Sequence, residues 1–329
     1  MLLFILQYLK YPLFLSYLLI TACNKENSNS NFIPPTNNTK EQETDKEEDT
    51  TSPSDEPYFL TNQNPISNQK KWVKVENLSD EFNTTTFDDD KWHRNPATDG
   101  FGWYGRPPAL FESENVSVSD GNLNVTTLKY KTPKNVKNTN WTHGGAIIRS
   151  KATAKQGLYY ECRMKANKTI MSSTFWIAFK QNCNNGHIRK LELDIQECVG
   201  RTHKNTDSWA SHWDKIYHSN AIRHNRSCDI GQETRKSGKI NLTEQNNSRF
   251  FVYGCWWKSP TEILFYLDGT YVYSITPTTD FDIEGYITMA IETYDWNPLD
   301  PDGSIFETGS FDDLTTKYDW VRTWKLENK

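Results

Sequence analysis

Glu262-Ile-Leu-Phe-Tyr-Leu-Asp-Gly-Thr-Tyr-Val-Tyr-Ser-Ile275 reads as two short runs of aliphatic and aromatic residues on either side of Asp268-Gly269. Such runs suit a pleated, half-buried strand, and Asp-Gly between them is a strong signal for a tight hairpin. The same grammar recurs outward from this stretch. Asp120-Gly121 separates Asn115–Ser119 from Asn122–Leu128, and Gly157–Lys165 and Ser172–Phe179 are further strand-like runs between polar clusters. No long stretch carries a helical period, and no internal repeat is visible. Many short strands without alternating helices predict an all-β fold, a sandwich or barrel, from about residue 70 to 329.

The N-terminal part differs. Residues 1–22 are apolar but are interrupted by Lys10 and Pro12, which argues against a membrane-spanning helix and for an export signal. Ile20-Thr21-Ala22-Cys23 resembles a bacterial lipobox, which would make Cys23 a lipidated mature N-terminus. Residues 23–69 are rich in Asn, Ser, Thr, Glu, Asp and Pro, and read as a disordered acidic tether with too little apolar surface to offset the entropy of ordering. The expected location is the outer membrane or cell surface as a lipoprotein, or otherwise secretion, with the lipid as the chain's only link to the membrane.

The formal net charge is −5, and eight acidic residues against two lysines lie between Lys40 and Glu56. The remainder is nearly neutral, and nothing in it suggests a nucleic-acid partner, which needs a strongly basic face. The aromatic load, 12 Trp, 16 Tyr and 16 Phe, fits either a β core or faces that stack on sugar rings. Five cysteines follow Cys23. Cys183 and Cys228 lie in polar, loop-like segments and are candidates to pair, whereas Cys162 and Cys255 sit in strand-like runs and read as buried thiols. No Cys or His spacing matches a zinc site.

The chemistry concentrates in Lys190-Leu-Glu-Leu-Asp-Ile-Gln-Glu-Cys198. In a strand Glu192 and Asp194 share one face while Leu191, Leu193 and Ile195 share the other. Strict alternation would bury Glu197 with the leucines, at high cost for an unpaired carboxylate. A β-bulge around Ile195-Gln196 returns Glu197 to the acidic face. Glu192 and Glu197 then stand about 13 Å apart at Cα, at roughly 3.3 Å per residue. Inward lean of both side chains brings the carboxyl groups towards the ~5–5.5 Å of a retaining glycosidase. The competing reading is a solvated acidic strand edge.

With these residues the chain resembles glycoside hydrolase family 16, which contains laminarinases, lichenases, carrageenases and agarases. Asp80-Glu-Phe82, Asp120-Gly-Asn-Leu123, Gly157–Lys165, Phe175-Trp176, Glu192-Leu-Asp-Ile-Gln-Glu197 and Tyr318-Asp-Trp-Val-Arg-Thr-Trp324 carry the resemblance over about residues 70–327. It implies a β-jelly-roll sandwich of two curved antiparallel sheets with a concave cleft, and retaining hydrolysis without a catalytic cofactor. Glu192 would be the nucleophile, Glu197 the general acid/base and Asp194 the helper, with Trp176 stacking on the sugar. Trp103-Tyr-Gly-Arg-Pro-Pro-Ala109, Glu292-Thr-Tyr-Asp-Trp296 and His218-Ser-Asn220 draw the resemblance towards agarases and porphyranases. In that likeness Trp103 stacks further along the cleft, and Glu292 and His218 bind sugar hydroxyls. The family also implies a structural Ca2+ near the closing strand, with Asp319 as candidate ligand. The expected activity is an endo-acting β-agarase on agar-type galactan, working as a monomer. The alternatives are a β-porphyranase and, from another class, a non-catalytic glycan-binding lipoprotein. Arg201–Lys239 reads as an insert whose Arg223 and Arg226 would pair with sulfate, or as a solvated loop.

Overall fold

The computed structural model describes residues 55–183, 188–226, 228, 232–299 and 305–329. The expected signal segment, the tether before residue 55 and Cys23 lie outside these residues.

Two sheets face each other. The outer sheet runs in the order Thr270–Ile275, Glu262–Leu267, Phe251–Ser259, Leu158–Lys165, Thr315–Asn328, Asn122–Thr126 and Val116–Ser119, and Lys70–Lys74 also pairs with Thr315–Asn328. The cleft-bearing sheet runs Thr234–Asn241, Ile216–Arg223, Leu191–Val199, Ser172–Phe179, Gly285–Ile291, Thr139–Ser150, Ala109–Phe111 and Gly105–Arg106. This is the expected two-sheet jelly-roll sandwich. Pairing is antiparallel, as expected, except where Ala109–Phe111 runs parallel to Thr139–Ser150. Both Asp-Gly pairs make the predicted hairpins, with positive φ at Asp120, Gly121, Asp268 and Gly269.

Alternation fills the space between the sheets. Leu191, Leu193 and Ile195 are fully buried there with Phe175, Ile177 and Phe179, against Tyr160, Cys162, Met164, Cys255 and Trp257 of the outer sheet. Cys162, Cys198 and Cys255 are buried thiols, and Cys183 is bonded to Cys228.

Three expectations change. First, the folded body starts before residue 70. Pro57 is buried, Phe59 lies among Trp72, Tyr159 and Tyr266 at ring distances of 5.0–6.3 Å, and the Leu60 amide donates to the Gly269 carbonyl (3.1 Å). The aromatic outer face needs a cover, and this strap supplies it. Second, Asp319 does not fit a calcium site. Its carboxylate is held by Arg163 at 2.8 Å, and among the described residues no three acidic, His or Cys side chains gather to hold a metal. Third, Arg201–Lys239 is not a mere loop, because Ile216–Arg223 and most of Thr234–Asn241 fall inside it and extend the cleft-bearing sheet.

The strap also seals in Glu161, which accepts from the Tyr58 amide (3.1 Å) and from Trp324 Nε1 (2.8 Å). Burial pushes its carboxyl from 4.5 up to about 7. The native molecule therefore binds this proton more tightly than the unfolded chain. Its stabilising share is complete below about pH 4.5 and is lost as the pH rises through 7. Replacing Glu161 by Gln is expected to remove roughly 3 kcal/mol of pH-dependent destabilisation over that interval. Urea unfolding of both proteins at several pH values measures it, and identical slopes would contradict the assignment.

Candidate active site

The bulge forms where the sequence requires it. Phe175 pairs with Gln196 and Trp176 with Asp194, so Ile195 is the extra residue. Beyond it Thr174 faces Glu197, and before it Ala178 faces Glu192. All three acids thereby open on one cleft of about 670 Å3, with Trp103, Trp176, Arg106, Arg226, Arg235 and Glu292 among its walls. The side chains of Glu192 and Glu197 stay 20% and 18% exposed, whereas Asp194 is only 3% exposed. Reach into the cleft thus belongs to the two glutamates, and Asp194 acts from behind them.

Each acid has its own partners. Glu192 Oε2 meets His224 Nε2 at 3.1 Å, and the other ring nitrogen of His224 meets Glu233 Oε2 at 3.2 Å. The His224 ring thus bridges the two carboxyl groups and fixes the position of Glu192. Glu197 accepts from Asn220 Nδ2 (2.7 Å) and from the Tyr294 hydroxyl (3.1 Å), and His218 Nδ1 stands 3.4 Å away. The same Asn220 amide also donates to Asp194 Oδ2 (3.1 Å).

The charges separate accordingly. Burial, then Glu197 and Glu192, push Asp194 well above the usual carboxylate range. Burial also acts against ionised Glu197, but His218, Tyr294 and Arg235 together outweigh it and hold Glu197 below its ordinary value. Burial and the neighbouring charges thus favour a proton on Asp194 over one on Glu197, and the Asn220 amide bridges the two. Glu292 is driven by burial up to about 7, against the pull of Arg106 Nε at 2.9 Å.

Trp176 and Trp103 meet edge to face at 6.4 Å, and Arg149 backs Trp176 at 5.5 Å while its charge is spent on buried Asp99 (2.8 Å). Both tryptophans line the cleft, as does Glu292. His218 does not. It lies under the Trp213 ring (4.4 Å) and only 8% exposed, so it supports Glu197 rather than a sugar hydroxyl. Arg226 lines the cleft, but Arg223 turns to the Gln232 carbonyl (2.8 Å). Sequence reasoning named the stretches holding Asn220 and Tyr294 without assigning them a role. Strand alternation from His218 to Asn220 was the available signal for the first. Nothing local signals His224 or Arg235, which reach the acids from a neighbouring segment.

Residues 72–326 match the description β-porphyranase A–D, GH16 domain. The chain is 43% identical over 274 residues to β-porphyranase B of Zobellia galactanivorans, covering 82% of this chain and 90% of that protein. It is 37% identical to β-porphyranase C of the same organism, covering 83% of each. The crystal structure of porphyranase B from that organism superposes with a TM-score of 0.76 at 41% identity, over 83% of this chain and all of the other. β-Agarase AgaB34 of Agarivorans albus is 24% identical over 78% of this chain and 57% of its own.

Asn220→Ala removes one donor from two buried carboxyl groups at once. A loss of about 1–3 kcal/mol in unfolding free energy is expected at pH 7. Chemical denaturation of wild type and variant reads the difference, and equal stabilities would contradict the bridging role of Asn220.

Proposed function

The chain belongs to glycoside hydrolase family 16, with the β-porphyranases, and on that premise we propose that it cleaves β-1,4 linkages inside the sulfated red-algal galactan porphyran. It is a retaining glycoside hydrolase. The order of substrates expected from the sequence, agarose before porphyran, is reversed, because the porphyranase relatives reach 43% identity and the agarase AgaB34 stands at 24%.

The observation that carries the substrate reading is the distribution of cations in the cleft. Arg106 and Arg149 are occupied by Glu292 and Asp99. Arg226 and Arg235 also line the cleft, and among the described residues neither pairs with a carboxylate. A guanidinium that no carboxylate holds in ion-pair contact, beside a sugar cleft, suits a sulfate ester, which accepts two parallel hydrogen bonds. Trp176 and Trp103 supply the apolar faces for the sugar rings.

The reaction needs only the two glutamates. Glu192, held by His224, attacks the anomeric carbon and forms the glycosyl-enzyme. Glu197 gives a proton to the departing oxygen, and then takes one from the water that releases the sugar. Asp194 and Glu197 share the Asn220 amide, so the charge state of one bears on that of the other. Two carboxyl groups complete this chemistry, and no cofactor is invoked. We further infer that the enzyme is exported, acts as a monomer and is anchored through Cys23, on the strength of Ile20-Thr21-Ala22-Cys23.

Release of reducing ends from porphyran, agarose, κ-carrageenan and laminarin, measured in parallel, tests the substrate. Preference for porphyran is expected, and Arg226→Ala and Arg235→Ala should lower activity on porphyran about tenfold more than on agarose. Preference for agarose, or equal losses on both, would refute the sulfate reading. Glu192→Gln is expected to lower turnover by about 10^4-fold while oligosaccharide binding survives. Unchanged turnover would remove Glu192 as nucleophile.

A further inference from the structure

Next to Glu197 the molecule is built of rings. Tyr294, which donates to Glu197, stacks on Trp296 with centroids 4.7 Å apart and planes 19° from parallel. Trp296 meets Trp213 at 4.7 Å and Trp209 at 5.2 Å, and Trp209 meets Trp213 edge-on at 5.7 Å. Trp213 is buried and Trp296 half-buried, but Trp209 is 58% exposed, more than any other large apolar side chain among the described residues.

That exposure is held in place. Trp209 sits in the single turn Ser208–Ala210. The Asp207 amide before it donates to the Trp296 carbonyl (3.0 Å). Buried Asn297 accepts from the His203 amide (3.0 Å) and donates to the carbonyls of Ile170 (2.7 Å) and Arg201 (3.1 Å), tying this loop to the loop of Tyr294 and Trp296. The indole N–H of Trp209 is met by Asp207 Oδ2 (3.2 Å), so what remains for solvent is chiefly apolar ring. A tryptophan pinned in this way on two further indoles, with more than half of its surface in water, offers a flat apolar face to a ligand.

We propose that Trp209, backed by Trp296 and Trp213, is a stacking platform for galactan units beyond the cleft. The occupant follows from the ring series, which begins at Tyr294 in the cleft wall and runs through Trp296 to Trp209, and from stacking of a pyranose on an indole. The inference rests on the hydrolase reading above and adds a subsite to it. A long chain reaches Trp209, and a short oligosaccharide spanning only the cleft does not.

The test uses the full chain as wild type, Trp209→Ala and Trp209→Phe, with kcat and KM measured on polymeric porphyran and on a porphyran tetrasaccharide. Trp209→Ala is expected to lose about three- to tenfold more kcat/KM on the polymer than on the tetrasaccharide, chiefly through KM, and Trp209→Phe should recover most of it. Equal losses on the two substrates, or none on the polymer, would overturn the platform. Should Trp209→Ala lack a cooperative melting transition, Trp209→Gln takes its place in the same comparison. Affinity electrophoresis through porphyran gels reads the platform without turnover. Equal retardation of wild type and variant would again overturn it. A wild type that is retarded but cleaves nothing would refute the hydrolase reading while leaving the platform tested by the retardation ratio.

Discussion

Ile195, the unpaired residue of the bulge, sets the face on which Glu197 stands relative to Glu192 and Asp194. In a regular strand Glu197 would follow Leu191, Leu193 and Ile195 into the core, among side chains that are fully buried. A charged carboxylate there would have neither water nor partners. With one residue added to one strand and none to its neighbour, the apolar set stays inside and the acids Glu192, Asp194 and Glu197 share the open face. The core holds this register because Phe175, Ile177 and Phe179 of the adjacent strand occupy the same interior. The site is thus clamped by apolar packing on its reverse side.

Once the acids are collected, their mutual repulsion becomes the next constraint. The structure meets it with a different set of donors for each. Asn220 donates to Asp194 and Glu197 together, Tyr294 donates to Glu197, which also lies 3.4 Å from His218 Nδ1, and His224 links Glu192 to Glu233. Burial favours a proton on Asp194, the least accessible of the three. Three identical functional groups within six residues of chain thereby take three roles, decided by solvent access and by which donors face them.

The outer face answers a different demand. Trp72, Tyr159, Trp256, Tyr266 and Trp324 make an aromatic cluster on the side away from the cleft, with Phe59 and Ile66 of the strap packed against it. Covering that cluster also buries Glu161, whose ionisation is then opposed by its surroundings. The strap lies before the start of the family match at residue 72, so the folded body is longer than the catalytic domain's own boundary.

Local sequence was sufficient for the β class, the two Asp-Gly hairpins, the bulge and the acidic trio. Each of these depends on period, turn chemistry or the cost of burying a charge, and all three are properties of neighbouring residues. The pairing of Cys183 with Cys228 was visible as a possibility for the same reason. The tertiary structure alone decided what meets the trio from other strands. His218 supports Glu197 instead of a sugar because Trp213 covers it, Asp319 is taken by Arg163, and Arg226 enters the cleft while Arg223 turns to Gln232. His224 and Arg235 reach the acids although each lies about thirty or more residues along the chain from Glu192 or Glu197. Strand period tells which face a residue takes within its own strand, but its partner across the cleft is set by sheet order and register, which are determined by packing over the whole sandwich.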